Sequence, residues 1–466
     1  MSAKAGHEVL KTPSVFANAV HCLSHTQFHY AERAPTILYR SVSDDVRKHI
    51  DMLDGIALLI TIGTEKMVAT GLIRNAGVTQ IVWATNSSRP ATLDAAVYIH
   101  QLIEKMKDQE EIRNILSYVI PWCKLKIVAR AKKLAKIFDL TEKRLREGES
   151  NLLGLREGIT AGVATEPQAR RKGLLKPDVK FSKAGDLFLR QAARLSKDSS
   201  TEEIISVLVS AWKMATKVPN LKNNLSAQQW RRLRKLSDYT QACIRYRYHA
   251  KELGGEKALI VQKQIFPPQE GKVSVNGSTI AAVNTFVEEF SQHQPLTDFA
   301  AQIQKYYPEA REGSSINEEV EFSQHCEITV AQYLLEHGSG RRIAPIEVGC
   351  SKASCFWCNL YFECLNDRLP ARCGVLTSAT HGKLCDGWML PAEPRSLEYK
   401  GQKITDEINK EVMDFIGEQM DLMFARGLGQ RRKSDSVPLD GVRFSDEEMG
   451  TDEWLNAPLP SEESEM

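Results

Sequence analysis

The sequence predicts an α/β protein whose strands lie toward its two ends, separated by a long all-helical stretch. Three observations predict it. Residues 43–86 read as helix, strand, strand; residues 89–316 read as successive helical patterns rich in Lys, Arg, Leu and Ala; residues 317–391 return to helices alternating with strands. A chain of 466 residues, 42% hydrophobic and 26% charged, is long enough for two or three domains with sizeable cores. The net charge of +2 singles out no partner from electrostatics alone.

The elements follow in order after an N-terminal extension, 1–42. "SDDVRKHIDMLDGIALLITI" (43–62) opens with a Ser43 cap and two acids, and sets Val46, Ile50, Leu53, Ala57 and Ile60 on one helical face. "EKMVATGLIRN" and "TQIVWATN" are β-rich runs separated by Asn75, Ala76 and Gly77, which predicts an antiparallel hairpin. The helical stretch is interrupted by the polar, Gly-bearing "REGITAGVATEPQARRKG", so a flexible segment is expected near 150–185. Beyond it "EFSQHCEITVAQYLLEHGSG" predicts a helix stopped at Gly338, "RRIAPIEVGCSK" a strand, "SCFWCNLYFECLNDRL" a helix and "CGVLTSATHGK" another strand. A last helix, "ITDEINKEVMDFIGEQMDLMFARG", falls within 401–430, and the acid-rich tail 431–466 is expected to be disordered.

No apolar h-region occurs in the first thirty residues, and the longest apolar run, near "GIALLITIG", is too short to cross a bilayer. The expectation is a cytoplasmic or nuclear protein without a membrane partner. In those compartments thiols stay reduced, and clustered cysteines serve as metal ligands or catalytic groups more often than as disulfides. Clustering is what this chain shows: seven of its ten cysteines lie between Cys326 and Cys385.

Cys355 and Cys358 form C-x-x-C at the start of a predicted helix, where i, i+3 spacing puts both sulfurs on one side and the exposed amide ends favour thiolates. His325 and Glu327 stand at the start of another helix. A metal beyond both helix tips could be held by His325, Cys355 and Cys358, with a fourth position open. Three protein ligands plus water is the catalytic form of zinc coordination, and four protein ligands the structural one. One zinc ion per chain would lower the pKa of its water to about 7, leaving Glu327 free to carry protons.

"HCE" with "SCFWC" resembles the active-site pair of the cytidine-deaminase-like superfamily, whose zinc-dependent base deaminases show H-x-E…P-C-x-x-C. The longer string "VGCSKASCFWC", followed by "ATHGKLCDGWMLP", resembles a nucleic-acid or nucleotide deaminase branch widespread in fungi, whose members also carry segments similar to "MLDGIALLITIGTEKMVATGLIRN" and "IVWATN". The proline usual before the first cysteine is Ser354 here; S-K-x-x-C is the recurring form in that branch. The resemblance implies an α-β-α core around a central mixed sheet, built from 43–88 and 317–400, with 89–316 as an insertion. It also implies a hydrolytic deaminase: zinc-bound hydroxide attacks the amine-bearing carbon of a cytosine-like or adenine-like ring, Glu327 shuttles protons, and ammonia leaves. The substrate would be a nucleoside, a nucleotide or an unpaired base of a single-stranded nucleic acid.

Each feature has a plainer reading. A structural zinc knuckle could draw on Cys350, Cys355, Cys358, Cys364, Cys373 and Cys385, although the second C-x-x-C usual in such sites is missing; as core thiols Cys350, Cys364, Cys373 and Cys385 would simply be buried. Cys326 suits packing. Asn86, which in related nucleoside deaminases would hold the sugar, could equally be a surface turn residue. Trp357 could stack on a base or fill the core, and His381 and Lys383 could border the pocket or be turn residues. The basic stretch 124–147 and "WRRLRKLSDYTQACIRYRYH" could bind nucleic acid or protein, or be solvated helix faces, which the near-neutral total favours. A non-catalytic zinc-stapled scaffold that binds a protein or nucleic acid through its helical part is the alternative to the enzyme.

Overall fold

The computed structural model describes residues 43–61, 67–75, 78–86, 93–108, 110–160, 183–218, 221–250, 259–265, 271–276, 317–337, 345–352, 354–369, 374–378, 385, 387–391, 398–399 and 402–426. Two compact units emerge. One takes in the segments up to Thr61, Glu65–Asp108 and Arg245–Arg443; the other centres on Gln109–Ile244.

In the first unit α1 (Asp44–Leu59) begins at Ser43, whose hydroxyl accepts from the Val46 amide, with Asp44 and Asp45 in the positive first turn. Its Ile50, Leu53, Ile56 and Ala57 are fully buried. Strands β1 (Val68–Asn75) and β2 (Val78–Thr85) pair antiparallel, closing with Asn75 opposite Val78. The remaining strands of this sheet are β3 (Leu259–Gln264), β6 (Ile346–Cys350) and β7 (Val375–Thr377), in the spatial order β3-β2-β1-β6-β7. β1 runs antiparallel to both neighbours, whereas β2 with β3 and β6 with β7 are parallel, so the sheet is mixed.

Helices cover both faces of this sheet. Thr70 of β1 donates its hydroxyl to the Leu53 carbonyl of α1, while the next residue, Gly71, faces Val330 and Leu334 of α8 (Cys326–His337). Successive strand residues point to opposite faces, so α1 and α8 sandwich β1. Both approaches are close. A Cβ on Gly71 would lie 2.5 Å from Leu334 Cδ1, and one on Gly349 of β6 would lie 2.3 Å from the Leu53 carbonyl carbon and 2.5 Å from the Asp54 amide nitrogen. Side-chain ends can yield, but the α1 backbone cannot without moving the helix. Gly349→Ala is therefore expected to cost about 1–3 kcal/mol of stability through overpacking, measured as a lower urea midpoint with an unchanged slope.

The remaining elements of this unit are α2 (Leu93–Lys107), a two-stranded sheet of β4 (Gly271–Asn276) and β5 (Asn317–Phe322), α9 (Phe356–Arg368), a second small pair, β8 (Glu398–Tyr399) with β9 (Gln402–Lys403), and α10 (Ile404–Arg426). The second unit is helical: α3 (Ile112–Thr160) packs on α4 (Lys183–Arg194) and α5 (Thr201–Lys217), followed by α6 (Leu221–Asn224) and α7 (Ala227–Ala250), which continues past the boundary of the unit. Ser200 and Glu203 form a capping box at the start of α5.

The stretch 89–316 is not helical throughout: β3 and β4 interrupt it. Ile260, Val261 and Ile265 form a β-branched run between the Gly254-Gly255 and Pro267-Pro268 breakers, a short strand signal set in a Lys- and Leu-rich background. Of the rings interleaved with arginine on α7, Trp230, Tyr239 and Tyr246 are buried and only Tyr248 is exposed, which leaves no aromatic row facing solvent on that helix. Lys132, Lys133 and Lys136 of α3 are exposed. The extension 1–42, most of the segment read as flexible (from 161 to 182) and the acidic tail lie outside the described residues. No helix among the described residues is long and apolar enough to cross a membrane.

A partly buried acid ties α1 to the sheet. The enclosed carboxyl of Asp54 accepts from the Cys350 amide at 2.6 Å and hydrogen-bonds Ser378. Burial raises its pKa to about 7, outweighing these two hydrogen bonds and the nearby Arg245, with Asp51 adding repulsion. The folded state thus keeps a proton that the unfolded chain releases from an ordinary pKa of 3.8. This contribution to stability is greatest below that value, falls as pH rises toward about 7, and is level above. Comparing Asp54→Asn with the wild type by urea unfolding across this range is expected to show the fall only in the wild type.

Candidate metal centre and active site

The C-terminal ends of β2 and β6 and the N-termini of α8 and α9 bring the cysteine-rich segment together. Asn86 follows β2 directly, and its Oδ1 accepts from the Cys326 amide at 2.9 Å, satisfying one of the donors that a helix start leaves unpaired. His325 immediately precedes α8. Its carbonyl accepts from both the amide (3.1 Å) and the hydroxyl (3.2 Å) of Thr329, which fixes the backbone from which the imidazole projects. Cys355 is the N-cap of α9, with extended backbone, and its Sγ accepts from the Cys358 amide at 3.4 Å. A thiolate would be favoured in that position by the helix dipole. Ser354, where a proline was the usual residue, is fully buried, with Oγ 3.9 Å from Cys350 Sγ.

These two helix tips meet. His325 Nδ1 lies 3.5 Å from Cys355 Sγ and 3.4 Å from Cys358 Sγ, and the three donor atoms all fall within 4.8 Å of one another. Zinc–sulfur bonds of about 2.3 Å and zinc–nitrogen bonds of about 2.0–2.1 Å at a tetrahedral angle require nitrogen and sulfur about 3.5 Å apart. The spacing therefore fits. Burial lowers the pKa of His325, against the opposing pull of Glu327, which keeps the imidazole in the neutral form that binds metals. Burial pushes both thiols up, so two adjacent thiolates need a cation to exist there. The donor set, two sulfurs and an imidazole in a buried site, suits zinc.

Glu327 is fully buried in the first turn of α8 and is not one of the three clustered residues. Its Oε2 accepts from Cys326 Sγ at 3.3 Å, while its Oε1 is buried with no hydrogen-bond partner. An orphaned carboxylate oxygen is costly, and native structures keep few of them without a functional reason.

The other cysteines separate by position. Cys350 and Cys364 are buried; Cys385, partly exposed, has its side chain within hydrogen-bonding reach of Cys355. Among the described residues no fourth cysteine joins the cluster of His325, Cys355 and Cys358. Cys373, His381 and Lys383 lie outside the described residues. Trp357 is buried and stacks on Trp388, ring centroids 6.0 Å apart. Trp388 belongs to a feature that the sequence reading missed. Gly387 adopts a left-handed conformation (φ 74°) that suits glycine, and its carbonyl accepts from the Ser323 amide at 2.9 Å, while the Met389 amide donates to the Ser323 carbonyl at 3.2 Å. This short pairing anchors the chain just after Cys385 beside the entry to α8. A glycine between Asp386 and Trp388 was its only trace in the sequence.

Residues 324–392 match the model of a deaminase family described as OTT_1508-like. That segment holds His325, Glu327, Cys355, Cys358 and the Gly387 turn. No curated protein and no solved structure matches the chain.

Proposed function

We propose that the chain is a zinc-dependent hydrolytic deaminase acting on a nucleobase in a nucleoside, a nucleotide or a single-stranded nucleic acid. The observation that carries this reading is the pairing of a neutral His325 imidazole and two sulfurs at zinc-ligand spacing with a buried carboxylate whose Oε1 has no partner. His325, Cys355 and Cys358 would hold the metal. Zinc supplies a Lewis acid that brings the pKa of a coordinated water close to neutrality.

This chain's own residues do the rest. Oε1 of Glu327 is the acceptor for a proton from the attacking water and returns it to the departing amine nitrogen. The water oxygen adds to the amine-bearing carbon as one of its protons passes to the adjacent ring nitrogen; the second proton is passed to the amine, the C–N bond then breaks, and ring N=C–NH₂ plus water become ring HN–C=O plus ammonia. Cys326 and Asn86 hold the first turn of α8 in place, and the burial of Glu327 keeps bulk water from competing for the proton. The α1–β1–β2 segment and α8–β6–α9–β7 form the deaminase core, into which residues 109–244 are inserted as a separate helical unit. The exposed lysines of that unit are its contribution to any contact with nucleic acid or protein.

The test is a substrate screen. Zinc-loaded protein is offered cytosine and adenine nucleosides, nucleotides and single-stranded oligonucleotides, and ammonia release is followed with Glu327→Gln as the control. Release that depends on Glu327 supports the enzyme. Stoichiometric zinc with no release from any substrate supports the zinc-stapled scaffold.

A further inference from the structure

The deaminase reading assigns Glu327 its role but leaves open what aims its carboxylate. We infer that Cys326 is a positioning residue: its thiol holds one oxygen of Glu327 so that the other is presented bare to the reacting centre. This rests on the deaminase reading and adds to it a residue that lies between ligand and acid in the chain.

Three observations converge. The Cys326 Sγ donates to Glu327 Oε2 at 3.3 Å, so one carboxylate oxygen is tethered. Oε1 has no partner, so the other is left for chemistry. The donor itself is fixed, because Cys326 is fully buried and its own amide is held by Asn86 Oδ1 at 2.9 Å. The chain from the end of β2 through Asn86 and Cys326 to Glu327 thus runs through hydrogen bonds from a rigid sheet to the proton carrier.

Chemistry favours a thiol in that place. A carboxylate with both oxygens tied by strong donors would be a weak proton acceptor. With no donor at all, packing alone would set the orientation of the buried carboxylate. A thiol is a weak donor. It restrains orientation, and a small side chain fits the first turn of a helix. An alanine there would keep the helix but remove the donor to Oε2.

Two experiments test this. In difference Raman spectra of wild type minus Cys326→Ala, the Cys326 S–H stretch should stand at the low frequency of a hydrogen-bonded thiol. In the Glu327→Ala background, where the acceptor is gone, it should move up; this readout needs neither metal nor turnover. In steady-state assays of the zinc-loaded full chain, Cys326→Ala should lower kcat about tenfold or more with KM and zinc content unchanged, and Cys326→Ser should restore most of the rate. An S–H band that ignores Glu327, or a Cys326→Ala enzyme with wild-type kcat, overturns the inference. If Cys326→Ala also loses stability, the Ser variant and the Raman band still decide. A wild type that releases no ammonia from any substrate speaks against the deaminase reading instead, and the Raman result stands apart from it.

Discussion

Glu327→Gln is expected to abolish ammonia release while leaving zinc bound and the fold as stable as before or more so. The side chain changes by one atom in kind and hardly at all in volume. Its amide oxygen can still accept from the Cys326 thiol, which lies 3.3 Å from Oε2 in the native protein. What disappears is the capacity of the group to accept and return a proton, and a positioned acid–base group contributes about 10²–10⁴-fold to rate. Stability should move the other way. A buried carboxylate with an unpartnered oxygen is a cost to folding, and replacing it with a neutral amide reduces the desolvation component of that cost. A lower rate together with an equal or higher Tm is the signature of a group kept for chemistry rather than for structure. Activity retained within a few-fold would remove Glu327 from the mechanism.

The second large effect is expected at a ligand. Cys358→Ser should lose zinc at concentrations that saturate the wild type. Removing an outer partner of a metal ligand costs about 10–100-fold in affinity, and removing a ligand itself should cost more. The loss is also a loss of stability, because an ion that binds only the folded state stabilises it by about 4 kcal/mol at a thousand times its Kd. The wild type should therefore melt at a lower temperature after chelation, whereas Cys358→Ser should melt at a temperature that chelators and added zinc do not alter. Zinc binding by the wild type should also strengthen as pH rises, since burial holds both thiols protonated and the metal must displace their protons. A wild type whose Tm ignores chelators would show that the three donor atoms converge without holding a metal.

Much of this site was legible because the spacing that a metal would require of its ligands is visible in the sequence. Cys355 and Cys358 had to share a helix turn, and His325 had to open another helix. Ser43 with two following acids marked the start of α1, and β-rich runs on either side of Asn75, Ala76 and Gly77 marked the β1–β2 hairpin. What was not legible depends on contacts between distant segments. The carboxamide of Asn86 accepts from a helix 240 positions away, and nothing in its neighbourhood distinguishes it from a turn residue. β3 is parallel to β2 and is reached only after the intervening unit, so its short β-branched run had no adjacent partner strand to advertise it. The raised pKa of Asp54 comes from enclosure between α1 and the ends of β6 and β7, which only the fold brings together. Trp357 could be read as a stacking platform or as core; Trp388, held by the Gly387 turn, is the ring it packs on.

Zinc-edge X-ray absorption of the metal-loaded full chain counts the atoms that hold the metal. Two sulfur neighbours at about 2.3 Å and two nitrogen or oxygen neighbours at about 2.0–2.1 Å, one of the latter exchangeable with solvent, are the expected result. Three or four sulfur neighbours, with Cys385 drawn in beside Cys355, would make the centre a closed structural site and contradict the account.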